Sequence, residues 1–333
     1  MGHIFTYPVG KNRVAYYDAV KGFAIFLMVV GHAMAWIAPS TQGETAYKEH
    51  IWFYVIYSFH MYLLFFLSGL FFPKGDGVSP KQAIVFLKKR IQTLLIPFFI
   101  GGFLYHYFRG SDYLVLWFLR SLFSFSAANI IWEVLRCTIM RKSVLFDILY
   151  YAMVFVFLHK GPHLISGGHS LHYVLFCLGI LVRRYDMEIH IYKKWVYSVS
   201  LIIFAVYNII SIKYANLTMP YIMELIPAIS GTVVAMTIFK TIITSGYLYE
   251  YLKTLGFFSL EIYIAHGFFV CKIPQIGEFI ESLNCSEDLL MTQSTVELFV
   301  STFISIIVIT MVMLFVRVVE ESSVLKFVLF GKR

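Results

Sequence analysis

Ten windows of mostly apolar residues punctuate this chain, near 19–39, 51–72, 91–108, 113–135, 144–158, 169–182, 195–212, 221–240, 252–272 and 295–316. About twenty such residues in a helix, rising 1.5 Å each, cross the ~30 Å hydrocarbon layer of a bilayer. The composition rules out a soluble globule: 59% of the 333 residues are hydrophobic and 14% charged, where a soluble domain carries about a quarter. The expected fold is an all-α integral membrane protein, a bundle of about ten transmembrane helices in a single domain over residues 1–333. Lys11, Arg13 and Ala33-Met34-Ala35 flank the first window as in a secretion signal. Asp18 and His32 fit a signal poorly, however, and the span is expected to be retained.

Charge then orients the bundle. With the N-terminus inside, the inner segments hold twenty of the 27 lysines and arginines and the outer segments hold five, with Lys21 and Arg120 inside spans. Positive loops stay in the cytoplasm, so both termini are expected there, in a cell membrane of the bacterial plasma (inner) membrane type. The net charge of +8 does not point to nucleic acid, because the basic residues form short clusters between apolar spans. Cys137, Cys177, Cys271 and Cys285 show no metal-ligand spacing; Cys271 and Cys285 lie on the outer side, where a disulfide can form. His159, His163, His169 and His172 have spacings that can present two pairs to a metal, but no carboxylate is near them in sequence and no metal is expected; hydrogen bonds to an acceptor sugar are the other use of that loop.

Ionisable groups inside a span are costly and are read as functional by default. They are Asp18 and Lys21 at the inner end of span 1, His32 nearer its middle, His60 in span 2, Arg120 in span 4, Glu224 in span 8, and Glu261 and His266 in span 9. Lys21 and His32 are three helical turns apart, on nearly one face and roughly 16 Å apart along the axis. A histidine can take and return a proton and a lysine can hold an anion. The plainer reading is an i,i+3 pair between Asp18 and Lys21 and an interhelical hydrogen bond for the histidine. Arg120 needs a counter-charge, with Glu224 and Glu261 as candidates.

DAVKGFAIFLMVVGHA (18–33) resembles the first-helix signature of membrane-bound acyltransferase family 3, in which a basic residue precedes a histidine by ten intervening residues. FHMYLLFFLSGLFF (59–72), KKRIQTLLIPFF (88–99), LWFLRSLF (116–123) and LGFFSLEIYIAH (255–266) resemble four further patterns in the family's order, the last in the form of fucose 4-O-acetylase-like members. Any one apolar pattern recurs by chance; five in order do not. The resemblance implies transfer of an acyl group, usually acetyl from acetyl-CoA, to a hydroxyl of a carbohydrate acceptor, a surface polysaccharide or a lipid-linked sugar. His32 matches the family's histidine and Lys21 its basic partner.

Two departures stand out: lysine at 21 lacks arginine's bidentate fork, and Tyr62 stands where proline is usual. No SGNH hydrolase-like extension is expected after the last span. His32 is accordingly expected to act as general base or as a covalent acyl carrier, with Asp18 or Lys21 orienting the charged end of the site. Lys21, Lys88, Lys89 and Arg90 are expected to meet the phosphates of acetyl-CoA, and His60, Arg120, Glu261 and His266 the substrate. The donor is expected from the cytoplasm and the acceptor from outside. A proton-coupled permease is the rival reading; no paired repeat or broken helix is visible in the sequence to favour it.

Overall fold

The structure, a computed structural model, describes residues 14–37, 50–73, 78–112, 115–138, 143–161, 170–213, 220–271, 273–282 and 290–332. Among these residues it is helical, with no strand. In chain order the helices are α1 (Ala15–Ile37), α2 (Ile51–Tyr57), α3 (His60–Leu70), α4 (Pro80–Arg90), α5 (Ile96–Arg109), α6 (Trp117–Thr138), α7 (Val144–Lys160), α8 (Ser170–Arg184), α9 (Glu188–Ile191), α10 (Lys194–Lys213), α11 (Leu225–Thr241), α12 (Tyr247–Phe257), α13 (Ser259–Phe269), α14 (Pro274–Ser282), α15 (Leu290–Glu320) and α16 (Ser323–Phe330). Among the described residues, six stretches are long and apolar enough to cross a membrane: Ala15–Trp36, Ile51–Leu70, Trp117–Arg136, Lys194–Lys213, Tyr221–Thr241 and Gln293–Glu320.

The other four apolar windows contain helices that are shorter or broken, and a break also divides one of the six stretches, Ile51–Leu70. Between α2 and α3, the Ser58 hydroxyl donates to the Val55 carbonyl at 2.8 Å and the Phe59 amide reaches Ile56 at 3.4 Å, a tightened turn. A π turn, Ile91–Leu95, joins α4 to α5. Pro97 cannot donate to the carbonyl four residues back and its ring crowds it, so the ladder widens just before it. Phe258, at φ −94° and ψ 18°, separates α12 from α13. The connection 73–90, expected on the inner side, is also more than a loop: Ser79 and Gln82 form a reciprocal cap with Pro80 in the first turn, which starts α4. The connection 273–294, expected on the outer side, likewise contains α14.

The chain packs as two compact units, residues 1–64 with 188–316 and residues 65–187 with 317–333. In the first, α1 is the centre. A Cβ on Gly22 would stand 1.8 Å from the Leu252 carbonyl oxygen, and one on Gly256 1.8 Å from that of Asp18. These reciprocal glycines let the backbones of α1 and α12 touch, the association small residues allow between helices in lipid. The far end of α1 is covered by Phe53 and Ile56 of α2 against Val30 and Met34, and by Ile280 of α14 against Ala33. At the near end, Glu188 of α9 accepts hydrogen bonds from Tyr17 and, at 2.8 Å, from Tyr192. Burial raises the Tyr192 phenol above its ordinary range, so it remains a donor.

In the second unit α6, α7 and α8 are joined by buried charges. Arg136 and Arg184, expected from the sequence to be inner-loop cations, have side chains only 8% exposed; Arg184 pairs with Glu133, and both arginines with Asp147. Glu133 and Asp147 lie inside apolar windows, as does Glu297 of the first unit, and all three were absent from the expected set of in-span ionisable residues. Nearby, Phe65, Phe118, Phe125 and His172 pack ring against ring.

Candidate active site

α1 carries Asp18, Lys21 and His32. Asp18 and Lys21 form an i,i+3 ion pair at 3.3 Å, the carboxylate buried and the lysine 30% exposed. They sit where the backbones of α1 and α12 meet, so their position is set by the Gly22 and Gly256 contact rather than by their own pairing. Eleven residues on, half-buried His32 meets His266 of α13, Nδ1 to Nε2 at 2.7 Å. The rings are within 9° of parallel with centroids 4.9 Å apart, the separation of two imidazoles bonded edge to edge rather than stacked face to face.

The neighbours determine which nitrogens carry protons. His266 Nδ1 lies 3.0 Å from the Ile262 carbonyl and 2.8 Å from that of Tyr263. Carbonyls only accept, so this nitrogen bears the hydrogen and, in the neutral ring, Nε2 is left as an acceptor. His32 Nδ1 must then be the donor between the two rings, which leaves His32 Nε2 with a lone pair. If that nitrogen takes a proton, the Nδ1–H bond to His266 is kept and stabilises the cation. His266 thus fixes the orientation of His32, an arrangement that a general base and its orienting partner would need. His60, 1% exposed, follows the same rule: its Nδ1 donates to the Ile56 carbonyl at 2.7 Å, with Tyr57 edge-on at 4.9 Å.

The remaining expected site residues divide between the units. Glu261, 1% exposed, is in the first turn of α13, five residues before His266. Glu224, in the 3₁₀ turn before α11, accepts from the Tyr62 hydroxyl at 3.0 Å. The tyrosine that stands at the usual proline position thereby engages one of the two carboxylates considered for Arg120. Arg120 itself belongs to the second unit, near the start of α6, with its guanidinium 5.9 Å from the Phe98 ring. Lys88, Lys89 and Arg90 form the last turn of α4, Arg90 lying over Phe86 at 5.0 Å.

Sequence reasoning missed a polar seam on α15. Gln293, Glu297, Ser301 and Ser305, each four residues after the last, are all buried. His50 Nδ1 meets Glu297 Oε2 at 2.6 Å, while His50 Nε2 and Glu297 Oε1 have no hydrogen-bond partner among the described residues. The i,i+4 spacing of polar residues in the last window was the available signal. Among the described residues no three His, Cys, Asp or Glu side chains converge as a metal site. His163 and His169 lie outside the described residues, as does Cys285; Cys271 is exposed.

A family model described as an acyltransferase domain, that of acyltransferase family 3, matches residues 14–315, nearly the whole chain. No curated protein and no solved structure matches.

Proposed function

This chain belongs to acyltransferase family 3 and is an acyltransferase with helices suited to a membrane; we propose that it transfers acetyl from acetyl-CoA to a hydroxyl of a surface polysaccharide or a lipid-linked sugar. The observation that carries the reading is the bond between His32 and His266, whose partners leave His32 Nε2 able to accept a proton.

In the proposed reaction the acceptor hydroxyl gives its proton to His32 Nε2 as its oxygen bonds the thioester carbonyl carbon. The C–S bond then breaks, and the proton leaves with the CoA thiolate. A covalent route, with His32 Nε2 attacking first, uses the same lone pair. Lys21 attracts the anionic end of the donor, and the roughly 16 Å from Lys21 to His32 along α1 is about the reach of an extended pantetheine arm. His60 and Glu261, both buried in helices of the same unit as His32, are assigned to the acceptor's hydroxyls. The proposed topology is ten spans with both termini in the cytoplasm of a cell membrane, the donor arriving from inside and the acceptor from outside.

Mass spectrometry of surface glycans with and without the protein tests donor and acceptor class together, the expected change being one acetyl unit. Unchanged glycans with altered solute uptake would overturn the reading in favour of a permease. Oriented proteoliposomes with acetyl-CoA inside and acceptor outside test the sidedness; product formed only with both substrates inside would refute it.

A further inference from the structure

A groove of about 550 Å³ lies in the second unit between the end of α4 and α16, and Lys88, Lys89, Gln92, Lys326, Gly331 and Lys332 line it. The two lysine pairs come from stretches far apart in the chain, and backbone contacts bring them together. The cap at Ser79 sets the register of α4 so that Lys88 and Lys89 fall in its last turn. α16 ends at Gly331, whose φ of 62° is left-handed and suits glycine as a C-cap. The Gly331 carbonyl accepts from Gln92 Nε2 at 3.0 Å, and a Cβ at 331 would stand 2.0 Å from the Gln92 carbonyl oxygen. The tail is therefore docked backbone to backbone on the π turn.

Among the described residues that line this groove are four lysines and no Asp or Glu. Gathering like charges is unfavourable, and a ligand of charge about −2 reverses the sign of that energy. Lysines act as compact point charges that suit phosphate oxygens, without a guanidinium's fork. Arg90 is directed elsewhere, onto Phe86. Exposed apolar residues flank the lysines, Ile84 and Val85 on α4 and Val324 and Leu325 on α16, the mix of basic and apolar side chains found at a membrane interface.

We propose that this groove binds a phosphate ester. Two sources offer that chemistry, the phosphates of a nucleotide-bearing acyl donor and the headgroup of an anionic phospholipid. The first rests on the donor proposed above; the groove itself does not.

The test uses the full-length purified protein and two probes, radiolabelled adenosine 3′,5′-bisphosphate in neutral detergent and phosphatidylcholine nanodiscs with or without phosphatidylglycerol. Lys88→Gln/Lys89→Gln and Lys326→Gln/Lys332→Gln are each expected to weaken one of the probes about tenfold to thirtyfold, since each lysine near an anionic surface contributes about 1 kcal/mol. Weakened bisphosphate binding identifies the donor as the source, and weakened phosphatidylglycerol retention alone identifies the lipid. Gly331→Ala, which keeps all four charges, should weaken the same probe by displacing the tail. Lys193→Gln/Lys194→Gln removes two exposed charges elsewhere and should change neither. Unchanged binding of both probes in both lysine pairs overturns the proposal, as does an equal loss in the control pair. The bisphosphate carries no acyl group, so absent acyl transfer with intact binding would break the acetyltransferase reading alone.

Discussion

Each of the two units buries a polar cluster, and the two clusters differ in kind. In the second unit the buried centre is ionic and balanced, with two guanidinium groups against two carboxylates. Asp147, with no exposure, faces Arg136 at 3.1 Å and Arg184 at 2.9 Å and accepts from Tyr185 at 2.7 Å and Trp132 at 2.8 Å. In the first unit one buried cluster is a set of imidazoles: His32 is held through Nδ1 by His266, His60 through Nδ1 by a backbone carbonyl, and His266 through both nitrogens, Nε2 by His32 and Nδ1 by backbone carbonyls. A balanced ion network loses its compensation if any member changes charge, which makes it a brace between α6, α7 and α8. An imidazole can be buried neutral and still take a proton. The difference makes one cluster suited to bracing helices and the other to the proton transfer proposed above, although both look equally costly inside a membrane protein.

Mutations can break or sharpen this contrast. The largest effect is expected for His32→Ala, a loss of roughly 10²–10⁴ in acyl-transfer rate with near-normal abundance and a monodisperse elution profile; retention of most activity would remove the imidazole cluster from the chemistry. Asp147→Ala should do the reverse, destabilising by about 3–5 kcal/mol because two arginines lose their shared carboxylate, seen as a fall in thermal midpoint and yield. A native-like midpoint would mean that the network is no brace. Gly22→Ala, which forces a Cβ against the Leu252 carbonyl, should cost about 1–3 kcal/mol in the same assay, and full stability would show that α1 and α12 can part freely.

Smaller effects test how His32 is oriented. His266→Gln keeps a side-chain carbonyl able to accept from His32 Nδ1, and its kcat should exceed that of His266→Leu by about fivefold at similar KM, one hydrogen bond being worth about 1 kcal/mol. A packing role for His266 would depress both variants alike. Lys21→Arg is expected to change the rate least, since arginine keeps the charge beside Asp18 and is the residue the family pattern favours; a collapse in rate would show that the Asp18–Lys21 geometry, rather than charge alone, is needed.

Much of the candidate site was legible because apolar spans make ionisable residues rare. Against an apolar background Lys21, His32 and His266 stand out individually, and helical periodicity alone relates Lys21 to His32 along α1. That His266 is the partner of His32 was not legible, since 234 residues separate them and nothing local records which helices touch. The buried carboxylates were misjudged for a related reason. Glu133, Asp147 and Glu297 sit among apolar residues, but near the ends of windows a charge reads as a boundary, and only the pairing partner reveals that it is inside. Arg136 and Arg184 were assigned to loops on the same logic.

The sequence by itself determined that the chain is helical and membrane-suited, that it belongs to an acyltransferase family, and that α1 carries a base-bearing face, because hydropathy, motif order and 3.6-residue periodicity are local properties. The tertiary structure alone decided which nitrogen of His32 holds the lone pair, which charges are neutralised, where the helices break and how the tail meets α4. Each of these depends on a carbonyl, a counter-ion or a backbone contact supplied from elsewhere in the chain, and no local pattern encodes the identity of a neighbour.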